Sequence, residues 1–567
     1  MRDGVNLSAN IYFPPGRSRP FPTLLNVTPY GKDSTRRTEV RSMIREFANA
    51  GYAVVHVDVR GRGNSEGKFL PFFQEIKDGH DTLEWVGKQD WSTGKVGTFG
   101  RSYGGCVQLY PMRHGSKYHK AAFVMCAPSI HPFHDCTAYT SGTFMPIMIS
   151  WAMLLSGRTL KQEIYDKEID WEPLMTIRPL KDISRKLGLS ADILSQYYGH
   201  ETYDAYFKNI WSDEMISSMN VPCYFVSGWY DDSLKGALEH FPQLTHEHPD
   251  EVMRRKHKLL IGPWPHALSS PFHTSGKLGD FDYGPQSVVP LQKEAIRWFD
   301  YWLKGIDNEI MKEPPVRLFL MGVNRWMESN EFPLSSAKQK SLYLAADRSA
   351  NSLLGDGALV DGAPRDVEKS ESVFTYDPRN PAPSPFAKEG FQNGMNEDLR
   401  PIQRRDDVLV FTSRVLNEPL NVIGTIEAEL YVSTSAVDTD FITRLSDVHP
   451  NGYAQRMCQG ISRLRYREGY EKIKLVAPGE IVKVSVDMFG TGQQFQVGHR
   501  IRLEVTSSAF PSVAPNYNTG ESMWEEKDPI IATQTIHHSE EYPSRLILPV
   551  VSTPKFSEAW TERRWSS

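Results

Sequence analysis

The sequence predicts a mainly parallel α/β sheet, interrupted by a helical insertion and followed by an all-β sandwich. Three observations predict it. Over the first 130 residues, short apolar runs alternate with helix-periodic segments, the rhythm of βα units. From about Ile130 to Met219 that rhythm stops, and Trp, Tyr, Met and helix formers dominate. Beyond Pro314-Pro315 short alternating segments punctuated by Gly, Pro and Asn take over, as in β-sandwiches. At 567 residues the chain is too long for one core, so two or three domains are expected.

Taken in order, Phe21 to Val27 is a first apolar run, and Arg36 to Ala50 places Val40, Met43, Ile44 and Phe47 at helical spacing before Gly51. Tyr52 to Val57 is the next strand. Asp78 is placed to cap a helix carrying Leu83 and Val86. Val96 to Phe99 and Ala121 to Cys126 complete the first group of strands. The insertion over 130–219 reads as a cap. The βα rhythm resumes at Cys223 to Val226 and Leu259 to Ile261 and closes on a helix from about Pro290 to Leu303, stopped by Gly305. Val316 to Leu320, Glu427 to Val432, Ile481 to Val486 and Ile501 to Val505 read as sandwich strands, and 377–396 as a long loop. The expected division is 1–129 and 220–312 for the two parts of the sheet domain, 130–219 for the cap, and 313–567 for the sandwich.

Composition excludes several classes. Apolar residues at 40% and charged residues at 23% describe a globular protein, and a net charge of −5 without a Lys/Arg run argues against nucleic acid as partner. The longest apolar stretch, Phe144 to Leu155, is broken by Pro146 and Ser150 and falls short of the roughly 18 to 20 residues of a bilayer span. The five cysteines have no CxxC spacing and point to reduced thiols. Met1 to Gly4 opens directly into strand-like sequence with no signal peptide, so a cytoplasmic location is expected. No metal motif or cofactor fingerprint stands out. Arg60 to Gly67 (RGRGNSEG) follows a strand, but its glycines are one residue off G-x-G-x-x-G and no periodic helix opens there; it reads as a structural loop.

The chemistry is concentrated at strand ends. Gly100-Arg101-Ser102-Tyr103-Gly104 is a G-x-S-x-G directly after an apolar run, the sharp strand-to-helix turn that lifts a nucleophilic serine above a sheet in the α/β-hydrolase fold. A serine hydroxyl needs a base, and in this fold the partners follow in the order Ser, Asp or Glu, His. Cys223 to Val226 is followed by Ser227-Gly228-Trp229-Tyr230-Asp231, and Leu259 to Ile261 by Gly262-Pro263-Trp264-Pro265-His266. Ser102 is therefore the candidate nucleophile, His266 the base and Asp231 the acid that orients it, with Asp232 as a rival. The backbone N–H of Tyr103 and the hydroxyl of Tyr30, in Thr28-Pro29-Tyr30-Gly31, are candidate oxyanion donors. Tyr30 equally fits an aromatic packed under the turn. Trp151 and Trp171, in the cap, fit either a pocket wall or core packing.

These segments resemble one family, the CocE/NonD hydrolases, which groups cocaine esterase with X-Pro dipeptidyl-peptidases. The resemblance is carried by MRDGVNLSANIYFP, TPYGK, DVRGRGNSEGKF, DGHDTLEWVGKQDWSTGKVGTFGRSYGG, SGWYDD, LIGPWPH, RWFDYWLKG, FLMGVNRW, DTDFITRLSDVHPNG, GHRIRLEVTSSAFP and NYNTG. It implies an α/β-hydrolase domain with an inserted helical cap and a C-terminal jelly-roll sandwich. It matches Ser102 to the nucleophile, Asp231 to the acid, His266 to the base, and Tyr30 with Tyr103 to the oxyanion hole. The family usually starts a little upstream of Met1, which implies further N-terminal sequence. Ser233 and Leu234 stand where amino-acid-ester hydrolases carry acidic residues, and Ser233 also replaces an aromatic of cocaine-cleaving members. The expected activity is hydrolysis of a small-molecule carboxylic ester, with amides as a further class, through an acyl-enzyme and without a cofactor. X-Pro dipeptidyl-peptidase or acylase activity, or a non-catalytic binding protein, are the alternatives. The oligomeric state, a homodimer included, is left open.

Overall fold

The computed structural model describes residues 1–557 except 35–37, 135–138, 162–163, 165–169, 176, 190–192, 211–214, 216–218, 267–275, 364–369 and 385–397. Nine strands form the first sheet: β1 (Ala9–Tyr12), β2 (Phe21–Thr28), β3 (Ala53–Asp58), β4 (Ser92–Arg101), β5 (His119–Met125), β6 (Cys223–Tyr230), β7 (Lys258–Pro265), β8 (Val316–Leu320) and β9 (Arg325–Ser329). Their order is β1-β3-β2-β4-β5-β6-β7-β8-β9. Pairing is parallel from β3 to β8, and antiparallel only where β1 meets β3 and β9 meets β8. Strands β3, β6, β7 and β8 are buried at every position, as a parallel sheet covered on both faces requires.

The covering helices include α1 (Thr38–Asn49), α2 (Glu75–Gly87), α3 (Tyr103–Leu109), α4 (Ile147–Leu154), α5 (Leu234–Pro242) and α6 (Leu291–Phe299). Met43, Ile44 and Phe47 of α1 enter the same core as Phe99, Trp298 and Phe299. The expected start of α1 at Arg36, like most of the 377–396 loop, lies outside the described residues. The helix at 290–303 ends its α-helical part at Phe299; a wider turn over Asp300–Lys304 then stops at Gly305, whose φ of +71° suits glycine.

Two expectations are corrected. Asp78 does not cap α2, which opens at Glu75; its carboxylate instead takes two hydrogen bonds from Arg60, at 2.8 and 2.6 Å. A buried carboxylate beside an arginine gains more from that charged pair than from an exposed cap. Val316 to Leu320, expected in the sandwich, pairs in parallel with β7 and so extends the first sheet. Its apolar run is short and fully buried, a pattern that does not say which sheet it joins.

Among the described residues from Lys338 to Val550, eleven strands make a second, all-β sheet system. It includes β10 (Leu420–Thr434), β11 (Asp440–Val448), β12 (Ala454–Arg463), β13 (Val482–Phe495) and β14 (Arg500–Thr506) around a separate apolar core of residues such as Phe411, Leu430, Phe441 and Leu503. The two sheets meet closely. Met321 and Gly492 share a backbone hydrogen bond of 2.8 Å, and Gln455 Nε2 donates to Tyr230 Oη at 3.2 Å. Among the described residues no helix is long and apolar enough to cross a membrane.

Candidate active site

Tyr30, Ser102, Asp231 and His266 follow β2, β4, β6 and β7, strands that run in parallel, so all four stand at one carboxyl edge of the sheet. The strand order reverses direction at β2, with β3 on one side and β4 on the other. Ligands of open α/β sheets bind at such a switch point, and Tyr30 and Ser102 flank it.

Ser102 has φ +59° and ψ −125°, a conformation that costs a non-glycine residue of order 1–3 kcal/mol. Surrounding contacts hold it there. The Ser102 N–H donates to Met125 O at 3.0 Å, and Ser102 O accepts from the N–H groups of Gly105 and Cys106 at 2.7 and 3.1 Å. Gly100 is required beside it, since a Cβ there would lie 2.3 Å from Gly104 O. The turn leads straight into α3, so the N–H of Tyr103 belongs to the first helical turn, which has no intrahelical acceptor.

On the other side, Gly228 lets β6 and β7 close together: a Cβ there would lie 1.9 Å from Trp264 O, and the pairing register shifts just beyond it. This delivers His266 Nδ1 to Asp231 Oδ1 at 2.8 Å. Asp231 is anchored further by the Ser227 hydroxyl (2.7 Å) and the Ser233 N–H (2.9 Å). Asp232 Oδ1 stands 2.9 Å from the same imidazole nitrogen but off the hydrogen-bond direction, so its contribution is charge. Both His266 and Asp231 are buried. Burial alone disfavours the imidazolium, yet the two carboxylates outweigh it and hold His266 above the ordinary histidine range. Burial likewise works against ionised Asp231, but His266 and the hydrogen bonds keep it below the usual carboxylate range, whereas burial pushes Asp232 up. One donor atom each from Asp231, Asp232 and His266 lie within 4.8 Å of one another, so the same trio has the donor set for a divalent ion.

Trp151 ties the two oxyanion candidates together. Its indole N–H donates to Tyr30 Oη at 3.2 Å. Its ring stacks on Tyr103 (centroids 6.0 Å, 29°) and Phe72 (6.2 Å, 18°). Trp171, half-buried in a short helix Trp171–Met175, takes no part in the described contacts of this group.

Two supporting residues escape the sequence reading. Arg62, in the glycine-rich loop after β3, is fully buried and donates to Pro29 O (2.8 Å), Leu155 O (2.6 Å) and Gly157 O. It thus clamps the turn of Tyr30 to the end of α4, and burial lowers its guanidinium to about 10. Glu75 accepts the Tyr103 hydroxyl in the core; burial raises its carboxyl to about 7. The one available signal was an arginine set between two glycines just past a strand; Glu75 carried none.

The sequence model described as X-Pro dipeptidyl-peptidase (S15 family) matches residues 3–268, and that of the X-Pro dipeptidyl-peptidase C-terminal non-catalytic domain matches 308–547. Cocaine esterase of Rhodococcus sp. (strain MB1 Bresler) is 33% identical over 579 aligned residues, covering 97% of each chain. The fold and these relatives define a serine hydrolase. The chain belongs to the family that joins cocaine esterase with the S15 X-Pro dipeptidyl-peptidases. Two solved structures share the fold over its whole length: an aminopeptidase from the marine sediment archaeon Thaumarchaeota archaeon (TM-score 0.84, 24% identity) and a selenomethionine-labelled α-amino acid ester hydrolase (TM-score 0.82, 24% identity). Each match covers 97% of this chain and 95% of the other.

Proposed function

We propose that the chain hydrolyses carboxylic esters of small or medium acyl groups, with amides as a secondary class, through an acyl-enzyme on Ser102. The observation that carries this reading is the 2.8 Å hydrogen bond from His266 Nδ1 to buried Asp231. It leaves Nε2 of His266 as the proton acceptor. In the first half-reaction His266 takes the Ser102 proton as Oγ bonds to the acyl carbon, then returns it to the departing alkoxide. Water repeats the sequence in the second half and releases the acid. Asp231 holds the tautomer and balances the imidazolium. Tyr30 Oη and the Tyr103 N–H hold the oxyanion, each worth about 3–4 kcal/mol of transition-state stabilisation.

The finer architecture follows the same reading. The first sheet is an α/β-hydrolase domain, residues 130–219 are its cap, and the C-terminal strands are a jelly-roll. The pairing of β8 and β9 in the first sheet supports a sandwich starting after Ser329 rather than at 313. Trp151 is a pocket-floor residue in this scheme, and Trp171 a wall of the cap. Cys106, Cys126, Cys223 and Cys458 are buried thiols, in no disulfide among the described residues, which supports a reducing, cytoplasmic setting. The 33% identity to cocaine esterase supports ester over peptide substrates. Comparing p-nitrophenyl acyl esters with Gly-Pro-p-nitroanilide tests the ranking: the esters turn over faster, and fast turnover of the anilide alone would replace this reading with a dipeptidyl-peptidase.

A further inference from the structure

A second group of metal-binding side chains lies at the seam between the two sheet systems. Strands β11 and β14 are antiparallel neighbours with Val448 opposite Arg500. His449 and His499, the next residue outward on each strand, are therefore paired across the ladder; their rings lie 4.5 Å apart. Asp447, one residue inside, is buried, and its Oδ1 lies 2.8 Å from His499 Nδ1. One donor atom from each of the three lies within 4.8 Å of the other two.

The partners around these residues are those a metal site needs. Metal-bound imidazoles and carboxylates are oriented by hydrogen bonds on their far atoms. His449 Nε2 is 3.0 Å from Gln455 Oε1, a carbonyl-type acceptor, which puts the ring proton on Nε2 and leaves the Nδ1 lone pair bare. The orientation of the Gln455 amide is itself determined, because its Nε2 donates to the hydroxyls of Tyr230 and Tyr283 at 3.2 and 3.4 Å. Asp447 Oδ2 accepts from Gln493 Nε2 at 2.8 Å, which leaves Oδ1 as the outward oxygen. Both imidazoles keep some exposure, 13% of the side chain for His499, so an ion can reach them from the solvent side.

We propose that Asp447, His449 and His499 bind a divalent first-row transition ion, of which zinc suits two imidazoles and a carboxylate best. The bond from the ion to His499 Nδ1 replaces the present hydrogen bond to Asp447, with the single ring proton carried on Nε2. The site is a clip, not a catalytic centre. His449 packs on Phe281 (centroids 5.7 Å), and Tyr453 Oη donates to Asp280 at 3.1 Å, both partners lying in the segment between β7 and α6. Gln455 reaches Tyr230, the residue before Asp231. An ion here fastens the all-β unit to the strand that carries the candidate acid.

The test uses full-length, tag-free protein stripped with a chelator and then titrated with Zn²⁺ and Co²⁺, with bound metal measured after desalting. Wild type is expected to hold one equivalent and to gain thermal stability from it, rising with the logarithm of the free-ion excess. The variants H449Q and H499Q, checked for folding by circular dichroism, lose the metal and the stabilisation by more than about 100-fold. Replacing an outer partner alone, as in Q455A, costs about 10- to 100-fold. H266A retains the equivalent. Absence of stoichiometric metal, equal binding in the folded H449Q and H499Q proteins, or loss in H266A instead, which would assign the ion to Asp231, Asp232 and His266, each overturns the proposal. Esterase activity is not the readout, so the outcome is independent of the proposed function.

Discussion

Asp232 Oδ1 lies 2.9 Å from His266 Nδ1, the nitrogen that already hydrogen-bonds Asp231 at 2.8 Å. Two carboxylates thus press on one imidazole, and its pKa rises although burial opposes it. The base works only when neutral. The acid limb of kcat/KM is therefore expected to rise through a pH above the ordinary histidine value of about 6.5. Asp232→Asn removes one charge and keeps the Asp231 hydrogen bond, so the limb moves to lower pH while the plateau persists. An unmoved limb would mean that Asp232 has no electrostatic hold on the base.

Tyr30 Oη receives the Trp151 N–H, and in the proposed mechanism its hydroxyl donates to the oxyanion. Tyr30→Phe is expected to lower kcat by about 10²–10³-fold with little change in KM or thermal stability. Trp151→Phe keeps the stacking but removes the N–H, and gives a smaller loss in the same parameter. If Tyr30→Phe is as active as wild type, the tyrosine is packing alone.

Arg62 satisfies the buried carbonyls of Pro29 and Leu155. Arg62→Met leaves both without a donor, at about 1–3 kcal/mol each. Thermal unfolding of this variant is expected to show a clear drop in Tm, and kcat should fall with it because the turn of Tyr30 is released. A variant with wild-type Tm would contradict the clamp.

Glu75 gives a pH-dependent stability. Its folded pKa of about 7 lies above the usual glutamate value, so the folded state holds its proton more tightly than the unfolded chain. Its stabilising share is complete below about pH 4.5 and is lost as pH rises toward 7, on the order of 3 kcal/mol. Glu75→Gln cannot ionise. Its stability relative to wild type should therefore improve between pH 5 and 8; a constant difference across that range would refute the assignment.

Much of the site was legible because its chemistry sits at strand ends. A serine between glycines, an aspartate and a histidine each just past an apolar run can be read locally, and the parallel sheet aligns them. The residues that hold them could not be read this way. Arg62 acts on carbonyls 33 and 93 residues away, and Glu75 on a phenol 28 residues on. Asp78 looked like a helix cap because its distant partner Arg60 is invisible to helical periodicity. The run Val316 to Leu320 announced a strand but not its neighbour, since a fully buried strand looks the same in either sheet. Asp447, His449 and His499 form a cluster only through the β11–β14 register, so no linear motif marked them.

The central claim is that Ser102 is acylated with His266 as its base. A fluorophosphonate probe, read by intact mass and peptide mapping, tests it directly. The expected result is one adduct on Ser102, absent in folded Ser102→Ala and formed far more slowly in folded His266→Ala. No adduct on folded wild type, or labelling that persists in Ser102→Ala, would contradict it.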